Sequence, residues 1–438
     1  MTEPSQLDRA WAHAFAGETE EALRLGIAIV EDDALSLQAV QLLARTLGEK
    51  GRAASTDVVG KLVDAQIRRG DLPAATLAAR LDADGNKLRK RIAEAFGKGS
   101  KRLADVSPAP PSLPGTPSID AKLAALNGAG LLDRAEKALA KFAAAKDTIE
   151  DGAVPKLPLF GSLGPKPLAR LLGAMTPRAL VTGERAIEQA TEGTEAFVVV
   201  HGILRAERIP MNADRLTLSE PPTILAVLGP GAIVGEMALV SDAPRAAAVV
   251  AAEPCEVLVI GRAELENIAK DEPVIGQELG EFCRARMIAN LVRHSMILRA
   301  VPPSDREALM ARFTTKTFAE GDTLVAEGSE SEGLFVIASG TVRVTKNDES
   351  GDALVLADLG PGDVVGEIGI VLRRPATATV RALSAAVAME LTREGFAEAI
   401  KAYPTLLGEL YQLATERDEE TRTVVGQEVL DVGDVVLL

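Results

Sequence analysis

A chain of 438 residues exceeds one ordinary hydrophobic core, so its length predicts two to four domains. A formal net charge of −15 and a pI near 4.9 exclude wholesale attraction to nucleic acid or anionic membrane, both polyanions, so any anionic ligand must be held by local groups. Cysteine occurs only at Cys255 and Cys283, the opening MTEPSQLDRAWAHAF has neither a basic leader nor a signal-length apolar core, and the longest apolar runs, ILAVL (224–228) and AAAVVAA (246–252), fall short of the roughly 20 residues of a membrane helix. The expectation is a soluble protein of the reducing cytoplasm.

Residues 1–103 show helical periodicity with Gly-containing breaks, as in LVDAQIRRGDLPAATLAARL, and read as an all-α module of stacked hairpins. Gly17 with Ala22, Gly70 with Ala75 and Gly130 with Ala135 repeat a turn-into-helix pattern at separations of 53 and 60 residues, which fits poorly with the 34-residue period of tetratricopeptide repeats. The proline-rich VSPAPPSLPGTPS predicts an extended linker over 104–119. A helical segment, 120–154, follows.

Beyond 155 the chain changes to short Val/Ile-rich runs cut by Gly and Pro, the pattern of strands and turns. GERAIEQATEGTEAFVVVHGILRAE (183–207) lies without gaps on GDTLVAEGSESEGLFVIASGTVRVT (321–345), matching Phe197 with Phe335, Gly202 with Gly340 and Arg205 with Arg343. LGPGAIVGEMALVSDAPRAAAV (228–249) lies on LGPGDVVGEIGIVLRRPATATV (359–380); the offsets of 138 and 131 leave the first copy a loop longer by 7 residues. Two homologous β-rich domains, 155–296 and 297–422, each of roughly eight strands in a jelly-roll barrel with flanking helices, precede an apolar tail at 423–438. The fold class is therefore α+β multidomain: N-terminal all-α hairpins, then two β barrels.

Chemistry concentrates in GEMALVSDAPRAAAV (235–249). Gly235 and Gly362 stand where a backbone needs positive φ or close approach to a ligand. The segment after Gly235 predicts one helical turn, whose exposed amides suit a phosphate, with Arg245 as a charge-assisted partner. Glu236 accepts hydrogen bonds only and suits a sugar hydroxyl. Ala238, Ala246 and Ala247 leave room for close approach. Without this context, two charges nine positions apart would be a surface ion pair worth about 0.5 kcal/mol.

This cassette resembles the phosphate-binding cassette of cyclic nucleotide-binding domains, as in protein kinase A regulatory subunits and catabolite activator proteins, and residues 155–411 resemble two such domains in tandem. The resemblance implies that Glu236 binds the ribose 2′-hydroxyl, Arg245 the cyclic phosphate, and the amides near Met237, Ala238 and Ala246 the phosphate oxygens, with Gly235 and Ala247 completing the ligand-binding stretch. Val234 stands where the family often has Phe. Because Ala246 lacks the threonine hydroxyl that favours cGMP in the family, cAMP is the expected ligand and cGMP the alternative; no cofactor or metal is implied.

In the second copy, Gly366, Glu367, Ile368, Gly369, Thr377 and Ala378 keep the frame, but Ala376 stands at the arginine position, so weak or absent binding is expected there. Arg373 or Arg374 could substitute only by leaving the turn before Pro375.

VIGQELGEFCRARMIANLVRHSMI (274–297) predicts one helix with an apolar stripe at Ile275, Leu279, Phe282, Met287 and Leu291. The resemblance implies that it folds over the purine; Phe282 and Met287 are the capping candidates. Catalysis is not expected: His13, His201 and His294 are scattered, and no nucleotide-binding or nucleophile motif occurs. The acidic stretch after Tyr411 excludes a DNA-reading helix-turn-helix. RRGDL (68–72) resembles an inhibitory pseudosubstrate with Asp71 at the phosphorylated position, although its place at a helix turn favours solvated arginines. The helical module suits a protein partner or a homodimer contact, and the tail suits docking as an added strand. The functional reading is a cytoplasmic cAMP sensor that signals to a protein partner; the alternative is a scaffold whose nucleotide domains bind nothing.

Overall fold

The computed structural model describes residues 5–105, 118–146, 153–208, 221–295, 298, 300–347 and 353–434, with side chains to Thr421 in the last helix. The proline-rich stretch 106–117 and most of the longer first-copy loop, 209–220, lie outside the described residues. Two compact units divide the chain: one holds Met1–Gln189, Thr194–Leu239 and Ala247–Phe282, the other Ala190–Gly193, Val240–Ala246 and Cys283–Leu438.

The first unit opens with α1 (Gln6–Phe15), α2 (Thr19–Asp32), α3 (Leu37–Glu49), α4 (Thr56–Arg69), α5 (Leu72–Ala78) and α6 (Gly85–Phe96). A Ser5–Asp8 capping box starts α1, satisfying amides that a helix start leaves orphaned. After β1 (Leu103–Ala104) come α7 (Ala121–Ala124), α8 (Gly128–Ala144) and β2 (Val154–Pro155), which pairs in parallel with β1. The helical segment expected at 120–154 packs into the helical layer. Its α8 lies against α2, α3 and α4, Arg134 forks onto Glu31 at 2.9 and 2.7 Å, and Lys61 Nζ donates to the Phe142 carbonyl at 2.7 Å.

RRGDL is a joint between helices. Gly70 caps α4 with φ 77°, Asp71 caps α5 by accepting from the Ala74 amide at 3.0 Å, and a Cβ on Gly70 would run into the Pro155 ring. Arg68 and Arg69 are half-buried in the last turn of α4, less exposed than expected for a helix-turn surface.

Next come α9 (Pro165–Ala174), β3 (Thr176–Leu180), β4 (Arg185–Ile187), β5 (Glu195–His201), β6 (Leu204–Arg208), β7 (Thr223–Leu228), β8 (Ile233–Val234), β9 (Ala248–Ala251), β10 (Cys255–Gly261) and α10 (Arg262–Asp271). The strands form two four-stranded sheets, ordered β3-β10-β5-β8 and β4-β9-β6-β7. Phe197, Val199, Leu204, Val249 and Val257 fill the barrel between them.

The outer face of β5 and β10 is buried as well, because the helical layer covers it. His201 and Glu256 are cross-strand neighbours there. Trp11 of α1 stacks on His201 with ring centroids 4.9 Å apart, and Arg45 of α3 ion-pairs with Glu256. Burial depresses His201 to about 4 and pushes Glu256 up to about 7.

α11 (Pro273–His294) buries Ile275, Leu279, Cys283, Met287 and Leu291. Their spacing of four makes one stripe, so Cys283 takes the place expected for Phe282, which is half-exposed. Both cysteines are free and buried.

In the second unit, α12 (Arg306–Met310) leads into β11 (Thr314–Phe318), β12 (Thr323–Val325), β13 (Gly333–Ser339), β14 (Val342–Asn347), β15 (Ala353–Leu359), β16 (Val364–Val365), the short helix α13 (Glu367–Val371), β17 (Thr379–Ala382), β18 (Ala386–Thr392), α14 (Arg393–Ala402) and α15 (Pro404–Asp434). Sheet orders β11-β18-β13-β16 and β12-β17-β14-β15 repeat the first barrel strand for strand. Helix runs through Asp434, so the apolar tail is helical there and not an added strand; 435–438 lie outside the described residues.

Candidate functional site

In the first barrel, β8 ends at Val234 and the chain turns at Gly235, whose φ of 80° only glycine adopts without strain. Glu236–Leu239 then form one 3₁₀ turn, as expected after this glycine; the Ala238 amide closes it onto the Gly235 carbonyl at 3.2 Å. Arg262 at the start of α10 braces the turn from behind, donating to the Ala238 carbonyl from Nε at 2.9 Å. Glu236 is buried within this framework, while Met237 is half-buried.

Arg245 belongs to the other compact unit, with 190–193. Its amide donates to the Thr191 carbonyl at 2.9 Å and its carbonyl accepts from Ala190 at 2.8 Å, so the backbone at 245 is held from both sides. Its guanidinium packs directly over Gly193, so that a Cβ there would require the guanidinium to shift. Ala246 is exposed and Ala247 half-buried.

The second barrel copies this backbone and changes its side chains. The Ala376 amide donates to Ser329 at 2.9 Å and its carbonyl accepts from Gly328 at 2.8 Å, the counterparts of Thr191 and Ala190. Gly366, with φ 83°, caps α13, and Gly362 has φ 98°. Glu367 is buried, and burial pushes its carboxyl above the usual range while Arg417 opposes the shift.

A cavity of about 280 Å³ opens here. Val325, Val344, Leu359 and Val380 make its apolar wall, Glu367, Ile368, Gly369 and Ala376–Ala378 its floor, and Arg417, Glu420 and Thr421 of α15 its cover. Arg417 reaches Glu367 at 3.0 Å and the Val364 carbonyl at 2.5 Å. Arg374, the candidate substitute for the missing arginine, is ion-paired with Asp418 of the same covering helix, α15. Thus Glu367, Ile368, Gly369, Thr377 and Ala378 gather at one cavity with Gly366. Sequence reasoning missed Gly193, Ser331 and Arg417; the offset of 138 that pairs 193 with 331 was the available signal for the first two.

Of the capping candidates, Met287 is buried and Phe282 is half-exposed. His13 Nδ1 lies 2.5 Å from a Glu18 carboxylate oxygen within the helical layer. Among the described residues no helix is long and apolar enough to cross a membrane.

A family model for the cyclic nucleotide-binding domain matches residues 177–272 and 315–403. The cAMP-dependent protein kinase regulatory subunit of Yarrowia lipolytica is 28% identical over 240 residues, covering 54% of this chain and 57% of that protein. The subunit of the same name from Dictyostelium discoideum is 27% identical over 226 residues, 51% of this chain and 64% of its own length. The chain thus spans about half to two thirds of the curated relatives it matches. Among solved structures, the regulatory domain of Toxoplasma gondii PKA with cAMP is 23% identical with a TM-score of 0.28, covering 59% of this chain and 92% of that one. Thermus thermophilus catabolite activator protein is 22% identical with a TM-score of 0.28, covering 30% and 62%. With two matched stretches, two barrels of one strand order and one cassette frame in each, this chain carries two cyclic nucleotide-binding domains in tandem.

Proposed function

We propose that this chain is a cyclic-nucleotide sensor of the cytoplasm, not an enzyme, that takes cAMP at its first barrel and regulates a protein partner. The observation that carries the reading is the difference between its two repeats. Position 245 holds a guanidinium on a backbone fixed at Thr191 and Ala190, whereas position 376, fixed by the same two bonds, holds a methyl group. A cyclic phosphate needs that charge, because desolvating an anion without a partner costs more than its contacts return.

Glu236 supplies the acceptor for a ribose hydroxyl, and the cassette is one contiguous stretch, 235–249. Because the relatives are regulatory subunits of cAMP-dependent protein kinase, a protein kinase is the partner of choice. RRGDL is not the inhibitory segment in this arrangement, since its Asp71 is spent on capping α5. A partner would instead read the helical module or α11, as a shift in populations when ligand binds.

The second reading, a scaffold, fits the second barrel, where Ala376 stands at the arginine position and α15 already pairs with Glu367. Calorimetric titration with cAMP and with cGMP decides between them. Wild type is expected to bind cAMP at one site more tightly than cGMP, and Arg245→Ala to weaken cAMP by about 100-fold or more, the loss typical of a truncated buried charge partner. Heat from neither nucleotide in the wild type sinks the sensor.

A further inference from the structure

The two repeats differ at positions 193 and 245 and at the counterparts of these, and on the floor at 238 against 369. Where the first has Gly193, Ala238 and Arg245, the second has Ser331, Gly369 and Ala376. In the first repeat the guanidinium of Arg245 lies where a Cβ on residue 193 would be. In the second a real Cβ stands at 331, and Ser331 is buried, donating from Oγ to the carbonyls of Gly333 at 3.0 Å and Gly366 at 3.3 Å. Its bulk is felt by the floor too: a Cβ on Gly369 would come within 2.6 Å of the Ser331 Cβ.

We infer that residue 193, with its counterpart 331, is the specificity-determining position that decides whether a barrel of this chain accepts a cyclic phosphate. Glycine at 193 leaves the space in which the phosphate-binding arginine lies; serine at 331 fills that space and ties itself to the backbone on either side of the cavity floor. The second barrel is closed to cyclic nucleotide twice over, by the missing arginine at 376 and by the occupied seat at 331. Gly193 acts through Arg245 and is a positioning residue. It lies outside the left-handed region of φ, so a substitution there meets the guanidinium and no backbone strain. The inference rests on the cyclic-nucleotide reading for its ligand and on packing alone for its geometry.

The test uses the full chain, cAMP titration by calorimetry, and crystal structures of the variants. Gly193→Ser is expected to weaken cAMP at the first barrel by about 100-fold or more. Ala376→Arg alone is expected to leave one cAMP site, and Ser331→Gly with Ala376→Arg to give two. The inference is overturned by a Gly193→Ser affinity within about twofold of wild type, by two sites in wild type or in Ala376→Arg, or by one site in the double variant. The structures give an answer without ligand: the introduced guanidinium should lie over residue 331 only in the double variant, and finding it there beside an unmoved Ser331 overturns the inference. A wild type that binds no cAMP removes the sensor reading, and the structures then decide the packing on their own.

Discussion

His201 and Glu256 show how burial reverses two ordinary titrations on neighbouring strands. With its folded value near 4 against 6.5 unfolded, His201 is held neutral beneath Trp11. On acidification the unfolded chain takes the proton first, so stability present above pH 6.5 is lost toward pH 4, by up to about 3 kcal/mol. Glu256 runs the other way: raised from 4.5 to about 7 by burial despite Arg45, it keeps a proton that the unfolded chain releases. Its contribution therefore grows as pH falls from 7 to 4.5. Relative to wild type, His201→Gln should lose less unfolding free energy between pH 6.5 and 4, and Glu256→Gln should lose more between pH 7 and 4.5. Urea titrations across that range read both slopes, and curves parallel to wild type would refute the assignment. At this scale Glu236 and Arg245 were legible as candidates, since charges in an apolar stretch announce themselves. Gly193 was not, because its contribution is the space it leaves.

Among the elements, α11 and α15 descend from the same place in the repeat yet bury different things. α11 carries Met287 at the fourth position of its stripe; α15 continues Leu406, Leu410 and Ala414 with Asp418, which is buried and paired with Arg374. Next to it, Arg417 neutralises Glu367. Removing one partner strands a charge in the barrel, so Arg417→Ala should destabilise the second unit by about 2 kcal/mol, below the range for wholly buried pairs because Arg417 is partly exposed. In a double-mutant cycle, Glu367→Gln should recover part of that loss; full additivity would show that the pair does not interact. Strand count was readable from short apolar runs cut by glycine and proline and from the internal repeat. The helical course of the tail through Asp434 was not, because VVGQEVLDVGD (424–434) has enough valine to read as strand, and the long helix that it extends overrides that local preference.

For the whole molecule, boundaries proved harder to read than domains. Composition separates helices from barrels at about residue 155, yet the packing does not: the helical layer and the first barrel share one compact unit. The reason is the outer face of β5 and β10, whose apolar runs read as core but do not say what covers them. Trp11→Ala should cost about 3 kcal/mol, as for other large core truncations, and lower a single thermal transition shared by the layer and the first barrel. A separate helical transition in scanning calorimetry would argue against one unit.

The buried pair on that face also fixes the proton traffic of any event that lifts the layer away. Exposure would let Glu256 release a proton and His201 acquire one, and between their ordinary and shifted values the two nearly cancel. Attachment of the helices to this barrel is therefore buffered against mild acidification, and only the loss of one member of the pair would turn it into an acid-sensitive joint. The second barrel, with Ser339 and Val387 in the corresponding ladder positions, carries no such compensation.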